Sequence, residues 1–487
     1  MTTTSNQEIE EEDDEEEDGS IADWYIKTVL GAELADYTPV RGSIAIRPYG
    51  YAIWEAIQAY VDRELKATGH KNAYFPLLIP MSFLQKEAEH VEGFAPELAV
   101  VTHGGGQKLA EELVIRPTSE TIIYDSYRKW IQSYRDLPVL INQWVNVLRW
   151  EMRTRPFLRG SEFLWQEGHT AHATAEEADE EARLILDIYI QFIESQLAIP
   201  VYSGKKSERE KFAGAAITYT MESLMRDGKA LQMGTSHNLG QNFGKAFDVR
   251  FLDRDGEQKF PWSTSWAVST RLIGALVLVH GDDKGLILPP RVAPIQVVVV
   301  PIWRKDEERQ IVEGAVARVE AELTAAGIRI EVDRRDTVTP GFKFNDWELR
   351  GVPIRLEIGP RDVAAGQVMS VRRDTREKLA IALANLSPDI HAALEAVQAN
   401  LYERALKFRE DNTHSSGTMA ELAAGLQESP GFHWVNWCGS DECEDALMEH
   451  QASIRAIPLE DADKKPTGPC VNCGKDGTSR VLVAKSY

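Results

Sequence analysis

The stretch Leu148–His172, "LRWEMRTRPFLRGSEFLWQEGHTAH", decides the fold. It sets Arg149, Arg153, Arg155 and Arg159 within eleven positions, then turns to Phe163, Leu164, Trp165, Glu167, His169 and His172. A solvated helix spaces its charges and pairs them with acids. Here the cations crowd a turn broken by Pro156 and Gly160. Arg149 lies in the apolar, strand-like "NVLRWE", and Glu151, two residues on, shares its face. Alternation resumes afterwards, so Phe163, Trp165, Glu167 and His169 fall on one face of a second strand. Two antiparallel strands joined by an Arg-rich loop can cradle a nucleoside triphosphate, because planar guanidinium forks match phosphoryl oxygens. Phe163 is then available to stack on a base. Taken alone, such a hairpin is more commonly a surface of charge pairs.

Three further segments place polar groups where burial is expected. "VIRPTSET" puts Arg116, Thr118 and Glu120 just after a strand. "LQMGTSHNLGQNF" puts Gln232, Thr235 and His237 in what reads as a Gly-punctuated turn. "STSWAVSTRLIGALVLVHGDD" puts Ser269 and Arg271 at the entrance of a very apolar segment. An arginine there is costly unless paired with an anion, either a structural carboxylate or a ligand.

The four cysteines all follow position 437. "CGSDEC" separates Cys438 from Cys443 by four residues, and "PCVNCG" separates Cys470 from Cys473 by two. Two close pairs at this range suit a tetrahedral four-thiolate zinc site, which is closed and therefore structural. The alternative is two redox or free-thiol pairs.

The 487 residues allow several domains. Residues 1–20 hold ten acids and no base, a run that repels itself and reads as a disordered tail. It supplies 10 of the 22 net negative charges. A general nucleic-acid coat is excluded by that balance, although one local basic face is not. No secretory signal is visible, and the longest apolar runs fall short of a membrane span, so a cytoplasmic location without membrane contact is expected.

Residues 21–288 alternate strands with amphipathic helices. "LILPPRVAP" (Leu286–Pro294) reads as a linker. Residues 291–412 follow the order βαβαββα, an α/β domain with a sheet at least partly parallel. Its last helix is expected to open with Ser387 as N-cap and Pro388 at the first helical position. Residues 413–487 hold the cysteines and a final strand. In the first region, Thr174 and Glu177 form a capping-box pattern ahead of a long amphipathic helix.

Together these segments resemble the three signature motifs of the class II aminoacyl-tRNA synthetases, and the whole is similar to the prolyl-tRNA synthetase family. "RPYGYAIWEAIQAYVDRELKATGHKNAYFPLLIP" resembles motif 1, "RWEMRTRPFLRGSEFLWQEGHTAH" motif 2 and "SWAVSTRLIGAL" motif 3. "RPTSE", "GTSHNLGQNF" and "TPGFKFNDWELRGVPIRLEIGPRD" match further family segments in order. The resemblance runs from about Tyr25 to Tyr487. Only about a hundred residues separate His169 from Arg271, which leaves no room for the editing insertion of some bacterial members. The cysteine extension is similar to the archaeal and eukaryotic-like form.

The resemblance implies an α/β (α+β) architecture: an antiparallel-sheet catalytic domain, an α/β anticodon-binding domain and a small zinc-containing C-terminal domain. It implies ATP-dependent ligation of L-proline to tRNA(Pro) through a prolyl-adenylate, with Mg²⁺ on the phosphates and a homodimer built on motif 1. Arg149 would bind the α-phosphate and the proline carboxylate. Arg271 and Arg159 would hold the β- and γ-phosphates. Phe163 would stack on adenine, Glu151 would read its amino group, and Gln232, Thr235 and Ser269 would complete the nucleotide site. For proline, Thr118 and Glu120 would bind the ammonium, with Trp165, Glu167, His169 and His237 shaping the ring pocket. Lys343, Phe344, Glu348, Arg350, Arg372 and Arg373 are candidates for the anticodon, with surface salt bridges as the equal alternative. Tyr487 is a candidate for docking at the active site. Two alternatives stand beside this reading. One is another class II specificity; a threonyl enzyme would need a catalytic-domain cysteine, and none precedes Cys438. The other is a non-catalytic paralogue.

Overall fold

The computed structural model describes residues 19–85, 98–459 and 468–487. The acidic run of residues 1–18 lies outside the described residues.

A seven-stranded sheet organises the first region. Its strands are β1 (Lys71–Asn72), β2 (Val139–Leu148), β3 (Glu162–His172), β4 (Tyr202–Lys205), β5 (Ile217–Leu224), β6 (Ala230–Gly240) and β7 (Trp262–Ser269). Their spatial order is β1-β2-β3-β7-β6-β5-β4. Every pair is antiparallel except the short β1–β2 contact.

Helices α1 (Pro48–Ala67), α3 (Ala175–Gln196) and α4 (Arg271–His280) pack into the apolar core against this sheet, while α2 (Glu120–Trp130) belongs to a second apolar cluster. The start of α1 follows from Pro48 at its first position. Ile53, Trp54, Ile57, Val61 and Leu65 repeat at helical spacing and are buried. Trp54 meets Trp144 of β2 edge-on at 5.6 Å. The box ahead of α3 is present: the Thr174 hydroxyl accepts from Glu177 N at 3.2 Å, and the Glu177 carboxylate accepts from Thr174 N at 3.3 Å.

Two readings of this region need correction. Arg149 lies just beyond the end of β2 rather than within a strand, so strand period does not set the Glu151 direction. The segment around Gln232, Thr235 and His237 is not a turn but the interior strand β6. Its Gly234 is there for space, because a β-carbon would stand 2.8 Å from Val268 Cγ1. Close strand packing, not turning, selected the glycine that suggested a turn.

The second region is a five-stranded sheet, formed by β8 (Val297–Pro301), β9 (Ile330–Val332), β10 (Ile354–Ile358), β11 (Gln367–Arg372) and β12 (Lys378–Ala382). It is ordered β9-β8-β10-β11-β12, parallel across its first three strands and antiparallel beyond. Helices α5 (Asp306–Ala325), α6 (Pro340–Leu349) and α7 (Leu386–Asp411) accompany it. The βαβαββα order omits the edge strand β12 and a short helix at Pro360–Ala364. Helix α7 begins at Leu386 after a 3₁₀ turn, with Asn385 rather than Ser387 at the N-cap.

The third region is a four-stranded sheet of β13 (Thr413–Ser415), β14 (Phe432–Trp437), β15 (Ser453–Ala456) and β16 (Ser479–Ala484), ordered β13-β14-β16-β15. Helix α8 (Asp441–Met448) carries Cys443. Edge strand β4 reaches this sheet through reciprocal backbone hydrogen bonds between Lys205 and Ile457, both 2.8 Å. No helix among the described residues is long and apolar enough to cross a membrane.

Candidate active site

One face of the seven-stranded sheet floors a cavity of about 250 Å³. The register builds it. Pairing of β3 with β7 sets Trp165 opposite Ser269, Glu167 opposite Ala267 and His169 opposite Ser265. Pairing of β7 with β6 continues the rows to Thr235 and His237. Alternation therefore brings Phe163, Trp165, Glu167 and His169 to the same wall. Thr118, Glu120, Arg149, Gln232 and Arg271 complete it from the adjoining elements.

The cavity has two poles. At one, Glu167 is buried and heavily bonded. Its Oε1 accepts from Ser119 Oγ at 2.5 Å and Gln143 Nε2 at 2.7 Å, and its Oε2 meets His169 Nε2 at 2.9 Å. Burial opposes its ionisation, but the hydrogen bonds from His169, Ser119 and Gln143 outweigh it and hold the carboxyl below its ordinary range. His169 answers in kind: burial disfavours its cation, yet the Glu167 bond and the Glu120 charge raise its affinity for a proton. Glu120 opens α2, where the helix dipole favours an anion, and accepts a hydrogen bond from Thr118.

At the other pole stand two arginines. Arg149 donates from Nε to Pro117 O at 3.0 Å, its guanidinium 5.4 Å from the Trp165 ring centre. Arg271 donates to Leu158 O at 3.2 Å. Burial and then the Arg149 charge push Arg271 down to about 10, so it stays cationic at neutral pH. Two guanidiniums that repel each other in one cavity favour an anionic ligand between them. Burial, with His169 and Arg149 nearby, pushes His237 down to about 3, which leaves it neutral. Among the described residues, Trp165 Nε1, His169 Nδ1 and Ser265 Oγ are buried without a hydrogen-bond partner. All three residues line the cavity.

Glu151 and Arg159 are not brought into this cavity. They pair with each other at 2.6 Å, and Glu151 also accepts from Arg153 N at 3.0 Å. Arg159 lines a second cavity of about 280 Å³, with Phe163 as the shared wall. Arg155 lines the same second cavity, and its guanidinium faces the Tyr487 ring at 5.7 Å. Tyr487 OH donates to Asp227 at 2.6 Å. Sequence reasoning missed Glu210 and Phe212, which also line the first cavity. They lie in "KKSEREKF", a charged stretch without a motif to mark it.

Most of the anticodon candidates are engaged within the chain. Lys343 donates to Asp333 O at 2.9 Å, Arg350 pairs with Glu33 at 2.8 Å, and Glu348 pairs with Arg355 at 2.9 Å. Arg372 is forked on Asp374. Arg373 is buried on Asp282 of the first region. Arg355 also sits over the Phe344 ring at 4.2 Å.

The four cysteines converge. All are free, and their sulfurs lie within 4.8 Å of one another, with Cys438 and Cys473 3.8 Å apart. A tetrahedron of ~2.3 Å zinc–sulfur bonds has edges of ~3.8 Å. The donor set fits one zinc ion.

Three family models match the chain. Residues 101–280 match the model of the "tRNA synthetase class II core domain (G, H, P, S and T)". Residues 296–392 match "Anticodon binding domain", and 419–487 match "Prolyl-tRNA synthetase, C-terminal". The chain is 56% identical over 472 residues to a proline–tRNA ligase of Roseiflexus sp. (strain RS-1), covering 96% of this chain and 97% of that one. It is 54% identical over 465 residues to proline–tRNA ligase 2 of Clostridioides difficile (strain 630), covering 95% and 96%. With the proline–tRNA ligase of Chlorobaculum tepidum it shares 55% over 476 residues, covering 96% and 98%.

Proposed function

The chain belongs to the prolyl-tRNA synthetase family of class II aminoacyl-tRNA synthetases, and from that premise we propose how its cavity works. The reaction is ATP-dependent ligation of proline to tRNA. A proline carboxylate oxygen bonds to the α-phosphorus of ATP as the bond to the bridging oxygen breaks and pyrophosphate leaves. A ribose hydroxyl at the tRNA 3′ end then attacks the carbonyl, and AMP departs.

The observation that carries the assignment of residues is the polarity of the cavity. Glu120, with Thr118 beside it, takes the secondary ammonium of proline. Trp165, Glu167, His169 and His237 enclose the ring, and the neutral His237 adds no charge against an apolar surface. Arg149, at the arginine pole beside Trp165, serves both the carboxylate and the α-phosphate. Arg271 neutralises the outer phosphates, as loose phosphoryl-type transition states require. Gln232, Thr235 and Ser269 complete the nucleotide wall, and Phe163 supports adenine. Glu151 and Arg159 join the nucleotide when the Arg-rich loop exchanges their mutual ion pair for ATP. ATP would bring Mg²⁺ on its phosphates, which would offset their charge. Cys438, Cys443, Cys470 and Cys473 would hold Zn²⁺, which would fix the C-terminal fold.

The units are residues 21–288, 291–412 and 413–487. The second contributes anticodon contacts to tRNA(Pro). Motif 1 supplies a homodimer interface in the cytoplasm, supported by the exposed aromatic rings of Tyr51 and Tyr74. The deciding experiment is pyrophosphate exchange into ATP with each of the twenty amino acids. Exchange dominated by proline supports the assignment; dominance by another amino acid rejects it.

A further inference from the structure

Residues Lys206–Phe212 form one wall of the cavity, contributing Glu210 and Phe212. Phe212 lies against His237, ring centres 4.8 Å apart, and its N–H donates to Thr218 Oγ1 at 3.0 Å. That same hydroxyl meets His237 Nδ1 at 2.9 Å. The segment therefore shapes the surroundings of His237, on the side assigned above to proline.

What holds this wall comes from the cysteine-bearing region. Ser207 is buried, and its hydroxyl donates to Glu444 Oε1 at 2.5 Å while accepting from Glu210 N at 3.2 Å. Glu444 is itself buried on α8, next in sequence to Cys443. Ser207 thus passes the position of α8 to the backbone of a cavity residue. A second tie runs alongside. Lys206 Nζ donates to Glu222 Oε1 at 2.9 Å and to Arg455 O at 3.0 Å, and Arg455 Nη2 donates to Glu222 Oε2 at 2.8 Å. The backbones approach closely here: a β-carbon on Gly204 would stand 2.5 Å from Ile457 O. A segment rich in charge, set between two sheets and fixed by buried bonds to both, is a built support rather than a solvated loop.

We propose that Ser207 and Glu444 are positioning residues for amino-acid binding. Through them the cysteine-bearing helix holds the wall that carries Glu210 and Phe212. The proposal rests on the assignment of this cavity to proline. A hydrogen bond to a buried carboxylate sets the register of the wall, so its loss loosens the amino-acid side and leaves the arginine pole in place.

The test uses the full chain with its metal, measuring proline-dependent pyrophosphate exchange. Ser207→Ala is expected to raise the KM for proline roughly tenfold, the scale of one hydrogen bond to a charged group. The KM for ATP should stay within about twofold on the same scale, and Ser207→Thr, which keeps the hydroxyl, should restore proline binding. Hydrogen exchange at the Glu210 amide should speed up in Ser207→Ala. If that variant does not fold, Glu444→Asp, which shortens the carboxylate's reach, takes its place with the same expected split. An unchanged proline KM in a folded variant overturns the proposal, as does a matched rise for proline and ATP. Wild-type exchange that does not depend on proline would reject the cavity assignment instead, so the two failures are distinguishable.

Discussion

Arg373 closes both terminal nitrogens on the carboxylate of Asp282, at 2.8 and 2.6 Å, and joins the anticodon-domain sheet to the end of α4. Its Nε is also used, on Glu348 O at 2.9 Å. An arginine so committed holds two domains in register and is not available to read a base. Arg373→Ala should therefore destabilise the protein by about 2 kcal/mol, the scale of losing hydrogen bonds to a charged group. Charging of tRNA should fall, while pyrophosphate exchange by the folded fraction is retained. Parallel loss of both activities would argue against a role in domain register.

The same pair predicts an acid response. Burial works against the Asp282 anion, but the Arg373 bonds dominate and lower its pKa from 3.8 to about 2. A depressed carboxyl contributes stability that is complete above its unfolded value and lost as pH falls through the folded one. Melting temperature should therefore drop between about pH 4 and pH 2. Asp282→Asn should flatten part of that slope; an identical slope in the variant would remove Asp282 from the account.

Arg271→Lys keeps a charge but loses the planar fork. The exchange rate is expected to fall on the order of a hundredfold or more, the loss seen when one preorganised transition-state donor is removed. Circular dichroism should be unchanged. A rate within a factor of about two of wild type would place Arg271 outside the reaction.

How much of this was readable beforehand varied by region. The β3 face was legible, because strand period alone puts Phe163, Trp165, Glu167 and His169 together. The helix start at Thr174 was legible because its capping bonds are local. The strand at Gln232–His237 was not, since Gly234 serves packing there while carrying the signature of a turn. Nor were Glu210 and Phe212 legible, because the partner that fixes their segment, Glu444, lies far along the chain. Arg373 showed its charge in the sequence but not its destination.

A pocket shaped for proline rejects a smaller amino acid only weakly, since each missing methylene is worth about 1–3 kcal/mol. Alanine at high concentration should support measurable ATP turnover. Absence of turnover at saturating alanine would mean that the wall discriminates by more than fit.

Elemental analysis should return one zinc per chain. Cys470 is 2% exposed within the apolar cluster of that region, so Cys470→Ser should lose the metal and lower the melting temperature. Full stoichiometry in the variant would refute the four-thiolate site.

The tie from Ser207 to Glu444 also orders events during synthesis. The polypeptide leaves the ribosome N-terminal end first, and domains fold as they emerge. The seven-stranded sheet can close while α8 is still untranslated. Until α8 arrives, the wall carrying Glu210 and Phe212 lacks its anchor, and an arrested fragment would have the arginines without a finished pocket. The last wall of the cavity is thus completed late in translation, after the half that bears the arginines is in place.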